Sequence, residues 1–226
     1  MLESCLKRLI YLILFGFISL CQAGVYDDFF TAVLRDDART VIRLLQRGFD
    51  VNSPGPDGQV ALATALRLEH DHVIEALLRA PALNVDQANL YGETPLMYVA
   101  LKGRLDWAQR LVRRGAAVRK PGWTPLHYAA TGPEPRMVTF LLDAGADIDA
   151  LSPQGTTALM LAARHGDERT VSLLLERGAD PALTNPEGAI AADYARVAGR
   201  ERLAARLEAL GRKPVSPALP PTETPK

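Results

Sequence analysis

The stretch that decides the fold reads GTTALMLAARHGDERTVSLLLERGADP, from Gly155 to Pro181. Thr157 is a good helix N-cap because its hydroxyl can accept a hydrogen bond from a free N–H of the first turn. Gly166 interrupts the helical pattern, and a second apolar stripe follows at i, i+3, i+4 spacing. Gly178 comes next, where a left-handed residue ends a helix. The stretch predicts two short helices that are too small to bury their apolar faces alone, so they need a copy on each side.

Copies of this stretch recur along the chain. Glycines in the same role are separated by 34, 30, 33 and 33 residues, and they are Gly58, Gly92, Gly122, Gly155 and Gly188. Three copies begin with Thr94-Pro95-Leu96-Met97, Thr124-Pro125-Leu126-His127 and Thr157-Ala158-Leu159-Met160. A period near 33 with Thr-Pro-Leu-His at the first helix is the signature of ankyrin repeats. From about Tyr26 to Gly211 the chain resembles that family, which implies an all-α solenoid of helix-turn-helix repeats with short hairpin-like fingers.

The pattern divides the chain into six repeats and two terminal segments. We predict repeats at about residues 25–57, 58–91, 92–121, 122–154, 155–187 and 188–211. The first and last are polar on one face, as the caps of a repeat array should be. The 58–91 repeat departs most from the pattern, because Val60-Ala61-Leu62 replaces the Thr-Pro-Leu start. Residues 212–226 are rich in proline, which predicts a disordered, extended tail.

Residues 1–23 have the layout of a secretory signal peptide. A basic pair precedes an apolar run from Leu9 to Leu20, and the small residue Ala23 ends the segment. The run is short for a membrane span, so an uncleaved anchor is the less favoured alternative. Lipidation at Cys21 is another alternative, although Leu20 stands where a lipobox wants Gly, Ala or Ser.

Cysteine usage and charge narrow the compartment and the partners. Cys5 and Cys21 are the two cysteines of the sequence, so cleavage after Ala23 would leave a chain without a disulfide or a metal–thiolate site. A cysteine-free repeat protein with a signal peptide fits the bacterial periplasm, where we expect this protein. The 26 basic and 26 acidic residues balance, which implies no broad attraction to nucleic acid or to a membrane surface.

Few residues of the sequence could carry catalysis. The predicted mature chain has no thiol nucleophile, and the sequence has no Gly-rich phosphate loop and no HExxH motif. His70 and His72 come nearest to a metal pair, but residues two apart on a helix point to different sides, so two solvated side chains are the favoured interpretation. His127 belongs to the repeat motif, and the resemblance implies that it ties neighbouring repeats together. We expect no enzyme activity, no cofactor and no metal.

The resemblance places partner contacts on the finger tips and on the concave face of the first helices. The candidates at those positions are Tyr91, Glu93, Lys102, Trp123, Thr131, Arg164 and His165. Trp123 is expected to be exposed, and we favour partner contact over packing on its own hairpin, since aromatic residues and Arg dominate interface hot spots. Trp107 is expected to pack on the convex side. Because identical positions of stacked repeats lie side by side, Tyr91, Lys102, Trp123 and Arg164 are expected to form one strip.

These expectations combine into a non-catalytic, monomeric scaffold that binds a partner protein in the periplasm. The resemblance extends to secreted bacterial ankyrin proteins of this length, which as a group support oxidative-stress defence as helpers of periplasmic enzymes such as catalase. No residue of this sequence shows that link. The alternative is an immunity protein that masks a toxin delivered to the periplasm.

Overall fold

The computed structural model describes residues 24–55 and 58–211. The predicted signal peptide at residues 1–23, the lipidation alternative at Cys21 and the predicted tail at residues 212–226 lie outside the described residues. The described part of the chain contains twelve helices and no strand, so the all-α prediction is confirmed. None of these helices is long and apolar enough to cross a membrane.

The helices follow one another in pairs. The first helices of the pairs are α1 (24–34), α3 (Ala61–Leu68), α5 (Pro95–Lys102), α7 (Pro125–Thr131), α9 (Ala158–His165) and α11 (Ala191–Val197). The second helices are α2 (Ala38–Gln46), α4 (Asp71–Leu78), α6 (Leu105–Arg113), α8 (Pro135–Asp143), α10 (Glu168–Glu176) and α12 (Glu201–Gly211). Helices this short are marginal in isolation, so their stability comes from packing against one another.

Contacts within the chain divide it into two compact units. The first unit takes the described residues up to Ala100 together with Arg104–Ala117. The second takes Leu101–Gly103 and the described residues from Val118 onward. Each unit has its own buried side chains, for example Leu62, Ile74 and Leu77 in the first.

Local signals set the helix ends in the deciding stretch. Thr157 caps α9, because its Oγ1 accepts a hydrogen bond from the N–H of Met160 at 3.2 Å. Asp167 caps α10 by accepting from the N–H of Arg169. Gly178 follows α10 with a φ of 93°. The predicted cap at Thr157 and the predicted terminator at Gly178 are confirmed, and α5 and α7 start at prolines, where the missing N–H costs no hydrogen bond.

Helix α4 takes its N-terminal cap from the preceding helix pair. The His70 side chain at its N-cap position makes no capping bond. Asp36, in the turn between α1 and α2, accepts a hydrogen bond from the N–H of Val73 at 2.9 Å and pairs with Nδ1 of His72 at 2.7 Å. Burial acts to raise the pKa of Asp36, but the bonds from His72 and Val73 outweigh it and hold that pKa below its usual value. Asp36 thereby connects the first two helix pairs.

Candidate functional site

The finger tips are tight turns with a left-handed glycine in the fourth position. In the 89–93 finger, the Gly92 N–H donates to the Asn89 carbonyl at 2.9 Å and the Asn89 N–H donates to the Glu93 carbonyl at 3.0 Å. The same pair of bonds occurs in the fingers that end in Gly58, Gly155 and Gly188, and these four glycines have φ between 66° and 80°. A turn closed by a left-handed glycine is the arrangement of a G1 bulge. The predicted hairpin-like fingers are confirmed.

A short polar side chain at the start of three fingers fixes the backbone of the turn. Asn89 Oδ1 accepts from the N–H groups of Tyr91 at 2.9 Å and Glu93 at 3.0 Å. Ser152 Oγ and Asn185 Oδ1 accept the corresponding pairs of bonds in their own fingers. Sequence reasoning missed this role, although Asn or Ser three residues before a repeated glycine is the signal that carries it. In these three fingers the turn is therefore held by hydrogen bonds that do not involve the side chains at the tips.

The first unit contains two predicted binding residues, Tyr91 and Glu93, and they differ in how exposed they are and in whether their side chains make hydrogen bonds within the finger. Tyr91 is 82% exposed at the tip of its finger, and the adjacent Leu90 is 79% exposed. Glu93 is half-buried, and its Oε2 accepts hydrogen bonds from Asn89 Nδ2 at 2.8 Å and from Tyr98 OH at 2.9 Å. Burial, together with the hydrogen bond to Glu93, raises the pKa of Tyr98 to about 12. Glu93 thus stabilises the finger, while Tyr91 projects from it.

Trp123, in the second unit, is half-buried and not the exposed side chain that we expected. Its ring packs edge-on against His127, with centroids 5.4 Å apart, and lies 6.4 Å from the ring of Tyr128. His127 in turn bonds through Nε2 to the Thr156 carbonyl at 2.9 Å, which confirms its predicted role as a tie between repeats. Burial lowers the pKa of His127 and so favours the neutral ring. Trp123 therefore has a packing role, whether or not it also contacts a partner.

The other four predicted residues of the second unit lie at the ends of first helices. Lys102 ends α5, and Arg164 and His165 end α9. These three side chains are exposed, and within the described residues they make no side-chain hydrogen bond. A cation at a helix C-terminus also stabilises the helix dipole, so the positions of Lys102 and Arg164 have a structural reason. Thr131 is half-buried at the end of α7 and donates its hydroxyl to the Tyr128 carbonyl at 3.0 Å.

The second helices of the first unit are joined to each other by polar and aromatic contacts. Trp107 is 4% exposed, and its Nε1 donates to Asp71 Oδ1 at 3.2 Å. The guanidinium of Arg110 lies 4.6 Å from the Trp107 ring centroid and forms a two-bond salt bridge with Glu75. The hydrogen bond from Arg110 lowers the pKa of Glu75. Trp107 has the packing role predicted for it.

The interpretation of the two histidines as solvated side chains holds for His72, whose side chain is 80% exposed, and is wrong for His70, which is half-buried. His70 Nδ1 bonds to the Val33 carbonyl at 2.9 Å, and His72 pairs with Asp36. Both side chains therefore connect α4 to the preceding helix pair. Among the described residues, no three His, Cys, Asp or Glu side chains come together as metal ligands would.

Relatives of the chain share its repeats over limited lengths. It is 33% identical over 81 residues to "Protein phosphatase 1 regulatory subunit 27" of Mus musculus, which covers 34% of this chain and 53% of the relative. It is 37% identical over 81 residues to "Inversin" of Danio rerio, covering 34% and 7% respectively. It is 27% identical over 95 residues to "Ankyrin repeat and SOCS box protein 2" of Bos taurus, covering 42% and 15%. The chain spans about half the length of the first of these relatives and a small part of the other two.

A family model decides the assignment. The model described as "Ankyrin repeats (3 copies)" matches residues 29–121 and 113–185, which is more than half of the chain. This match agrees with the helix pairs, the fingers and the tie through His127. Ankyrin repeats form protein-binding scaffolds. The chain belongs to the ankyrin-repeat family.

Proposed function

We propose that this protein is a non-catalytic scaffold that is exported to the bacterial periplasm and there binds a partner protein through its finger tips and the ends of its first helices. The observation that carries the proposal is the 82% exposure of Tyr91 on a finger whose backbone is fixed by Asn89. Because the backbone of this turn is already fixed in the free protein, less conformational entropy is lost when the aromatic ring binds a partner. Aromatic residues are also enriched among interface hot spots.

Exposed polar and charged side chains support partner binding by the second unit as well. Lys102, Arg164 and His165 are exposed at helix ends and have no side-chain hydrogen bond within the described residues. The exposed charges of Lys102 and Arg164 are expected to act mainly on the rate of association and its salt dependence. Lys102, Trp123 and Arg164 are the binding residues that we propose for the second unit.

We further propose that the partner is an enzyme of oxidative-stress defence. The support is the resemblance of the sequence to secreted bacterial ankyrin proteins and the signal-peptide layout of residues 1–23. In this proposal the mature chain starts at Gly24, which N-terminal sequencing of the exported protein tests directly. A diacylglyceryl group on Cys21 would contradict it and place the protein on a membrane.

Site-specific crosslinking tests the binding function. A photoreactive amino acid replaces Tyr91, and in the control protein it replaces Leu210, an exposed residue of the last helix. We expect the Tyr91 probe to capture one enzyme from a periplasmic extract and the Leu210 probe to capture none. Capture of a foreign toxin in place of an enzyme would support the immunity alternative. Equal capture at both positions, or none at Tyr91, would contradict the proposed surface.

A further inference from the structure

An apolar recess lies in the first unit between the C-terminal parts of α2 and α4. Its volume is about 640 Å³, which is within the range of ligand-binding pockets. Apolar side chains that line it include Ile42, Leu45, Phe49, Ala76 and Pro81. The small residues Ala80, Pro81 and Ala82 follow α4 here, and Pro81-Ala82-Leu83 stands in place of the usual Gly-Ala-Asp turn. The recess is on the second helices and does not include any finger residue named above.

A cluster of arginines lies on the other side of α4. It lines a second recess of about 320 Å³, with Arg79, Arg110, Arg113 and Arg114 around the single carboxylate Glu75. The cluster therefore has a formal excess of three positive charges. Arg79 lines both recesses, so the apolar and the basic surfaces adjoin.

Two arginines of the cluster make side-chain hydrogen bonds within the protein, and the other two do not. Arg110 is held by Glu75, and Arg114 donates to the Ala80 carbonyl at 2.8 Å. Arg79 and Arg113 are exposed, and their guanidinium groups make no hydrogen bond within the described residues. A guanidinium offers donors in a planar fork that matches a carboxylate. Two available forks beside an apolar recess fit a ligand that carries both carboxylates and an apolar group.

We propose that this surface binds an acidic segment of a partner protein, in which one large apolar residue is flanked by carboxylates. The apolar side chain enters the recess between α2 and α4, and the carboxylates pair with Arg79 and Arg113. Asp50 also lines the apolar recess, but its single negative charge is smaller than the positive excess of the arginine cluster, so charge complementarity selects an acidic segment over a basic one. The recess selects it over a segment without an apolar residue. The inference goes beyond the proposed function, since it adds a second binding surface that does not depend on the fingers.

A peptide-binding experiment tests the inference on the purified full chain. The probe is a fluorescein-labelled peptide with one phenylalanine between pairs of glutamates, and its controls replace either the phenylalanine with serine or the glutamates with lysines. We expect each control to bind about tenfold more weakly than the probe, because it lacks one of the two contacts. Raising NaCl from about 50 to about 500 mM should weaken the probe, since salt screens exposed ion pairs.

Charge-reversal variants locate the binding site. R79E/R113E should lower the affinity for the probe about tenfold or more, while the matched pair R136E/R169E, on exposed arginines of α8 and α10, should change it by less than about twofold. If R79E/R113E fails to fold, as judged by circular dichroism, R79Q/R113Q removes the same charges with less perturbation. I42D should reduce the affinity for the probe to that for the serine control, because it places a charge in the apolar recess.

Three results would overturn the inference: equal affinity for the probe and the serine control, an affinity that R79E/R113E or R79Q/R113Q leaves unchanged, or binding of anionic phospholipid vesicles without binding of the peptide. The Y91A variant separates this inference from the proposed function. Y91A should bind the peptide normally even where it has lost the crosslinked partner. Loss of the crosslinked partner with normal peptide binding would therefore count against the finger surface alone.

Discussion

The 89–93 finger and the contact between the second helices α4 and α6 use their side chains in opposite ways. In the finger, Asn89 fixes the backbone, and Leu90 and Tyr91 remain exposed. Between α4 and α6, the Trp107 side chain is buried in contacts with Asp71 of α4 and with Arg110 of its own helix. The Tyr91 side chain at the tip of the finger can therefore change without loss of an internal side-chain hydrogen bond, whereas Trp107 between the second helices cannot. The comparison separates a surface that is free to bind from one that is needed for folding.

The largest effect should come from the helix side of the comparison. Trp107→Ala removes a buried ring, its bond to Asp71 and its contact with Arg110, so the free energy of unfolding should fall by about 3 kcal/mol. Urea denaturation measures this change. The control Trp107→Phe keeps an aromatic ring and loses the Nε1 bond, so it should cost about 1 kcal/mol. A loss below 1 kcal/mol for Trp107→Ala would mean that the helix side is less dependent on its side chains than we infer.

The next effect should come from the residue that fixes the finger. Asn89→Ala removes the acceptor of two backbone N–H groups and the donor to Glu93 and Tyr98, so the free energy of unfolding should fall by about 2 kcal/mol. Tyr91→Ala, two residues away, should change it by less than about 0.5 kcal/mol. Urea denaturation measures both changes. Equal losses for the two variants would contradict the inference that Asn89 stabilises the finger and that Tyr91 does not.

A smaller effect should come from the cap that Asp36 supplies to α4. Asp36→Ala should lower the free energy of unfolding by about 1 kcal/mol and speed amide exchange at the start of α4. Asp167→Ala removes a cap within a single repeat and should speed exchange only in α10. If both variants affect only the repeat in which they lie, Asp36 does not act across repeats.

The same cap should make the α4 contact depend on pH. The lowered pKa of Asp36 gives a contribution to stability that is present above the usual carboxyl pKa and is lost as the pH falls through the lowered value. The bond to Asp36 and its charge raise the pKa of His72, so that contribution is complete below the usual histidine pKa and is lost as the pH rises through the raised value. The protection of the α4 amides against exchange, taken relative to the intrinsic rate at each pH, should therefore be greatest between about pH 4 and about pH 6.5, and Asp36→Ala should remove this dependence.

The smallest effect concerns turns between the helices of a pair. Glu69 has a φ of 58° and Gly199 a φ of 72° at corresponding turns. Glu69→Gly should raise the free energy of unfolding by up to about 1 kcal/mol, because only glycine adopts this conformation without strain. Gly199→Ala should lower it by a similar amount, about 1 kcal/mol, and a Cβ there would meet no atom within 4 Å, so the cost would be conformational alone. Opposite signs in thermal unfolding would support this reason, and equal signs would contradict it.

Much of the fold could be predicted from the sequence because its signals are local and repeated. Thr157, Gly178 and the repeated finger glycines act within a few residues of their own positions, so the sequence pattern states their roles directly. The role of His127 was also predictable, because the residue that its side chain bonds to occupies a fixed position in the next repeat.

The contacts that escaped prediction join residues about 35 positions apart with no motif to mark them. Asp36 caps α4 in this way, and Arg200 donates to the carbonyls of Ala162, Ala163 and Gly166. The packing of Trp123 escaped for another reason: exposure was inferred from its place beside Gly122, but the ring of His127 offers it a neighbour. The partner surface could not be predicted from the repeat pattern, because the pattern determines the residues that form the helices and turns and does not determine the residues at the finger tips.

The central claim is that Tyr91 is a binding residue and Trp107 a folding residue. Its most direct test measures, for Tyr91→Ala and Trp107→Ala, both the melting temperature and the dissociation constant for the partner captured at Tyr91. We expect Tyr91→Ala to weaken binding about tenfold or more with an unchanged melting temperature. We expect Trp107→Ala to lower the melting temperature and to leave the affinity of the folded protein unchanged. A Tyr91→Ala variant that melts at a lower temperature and binds the partner as tightly as the parent protein would contradict the claim.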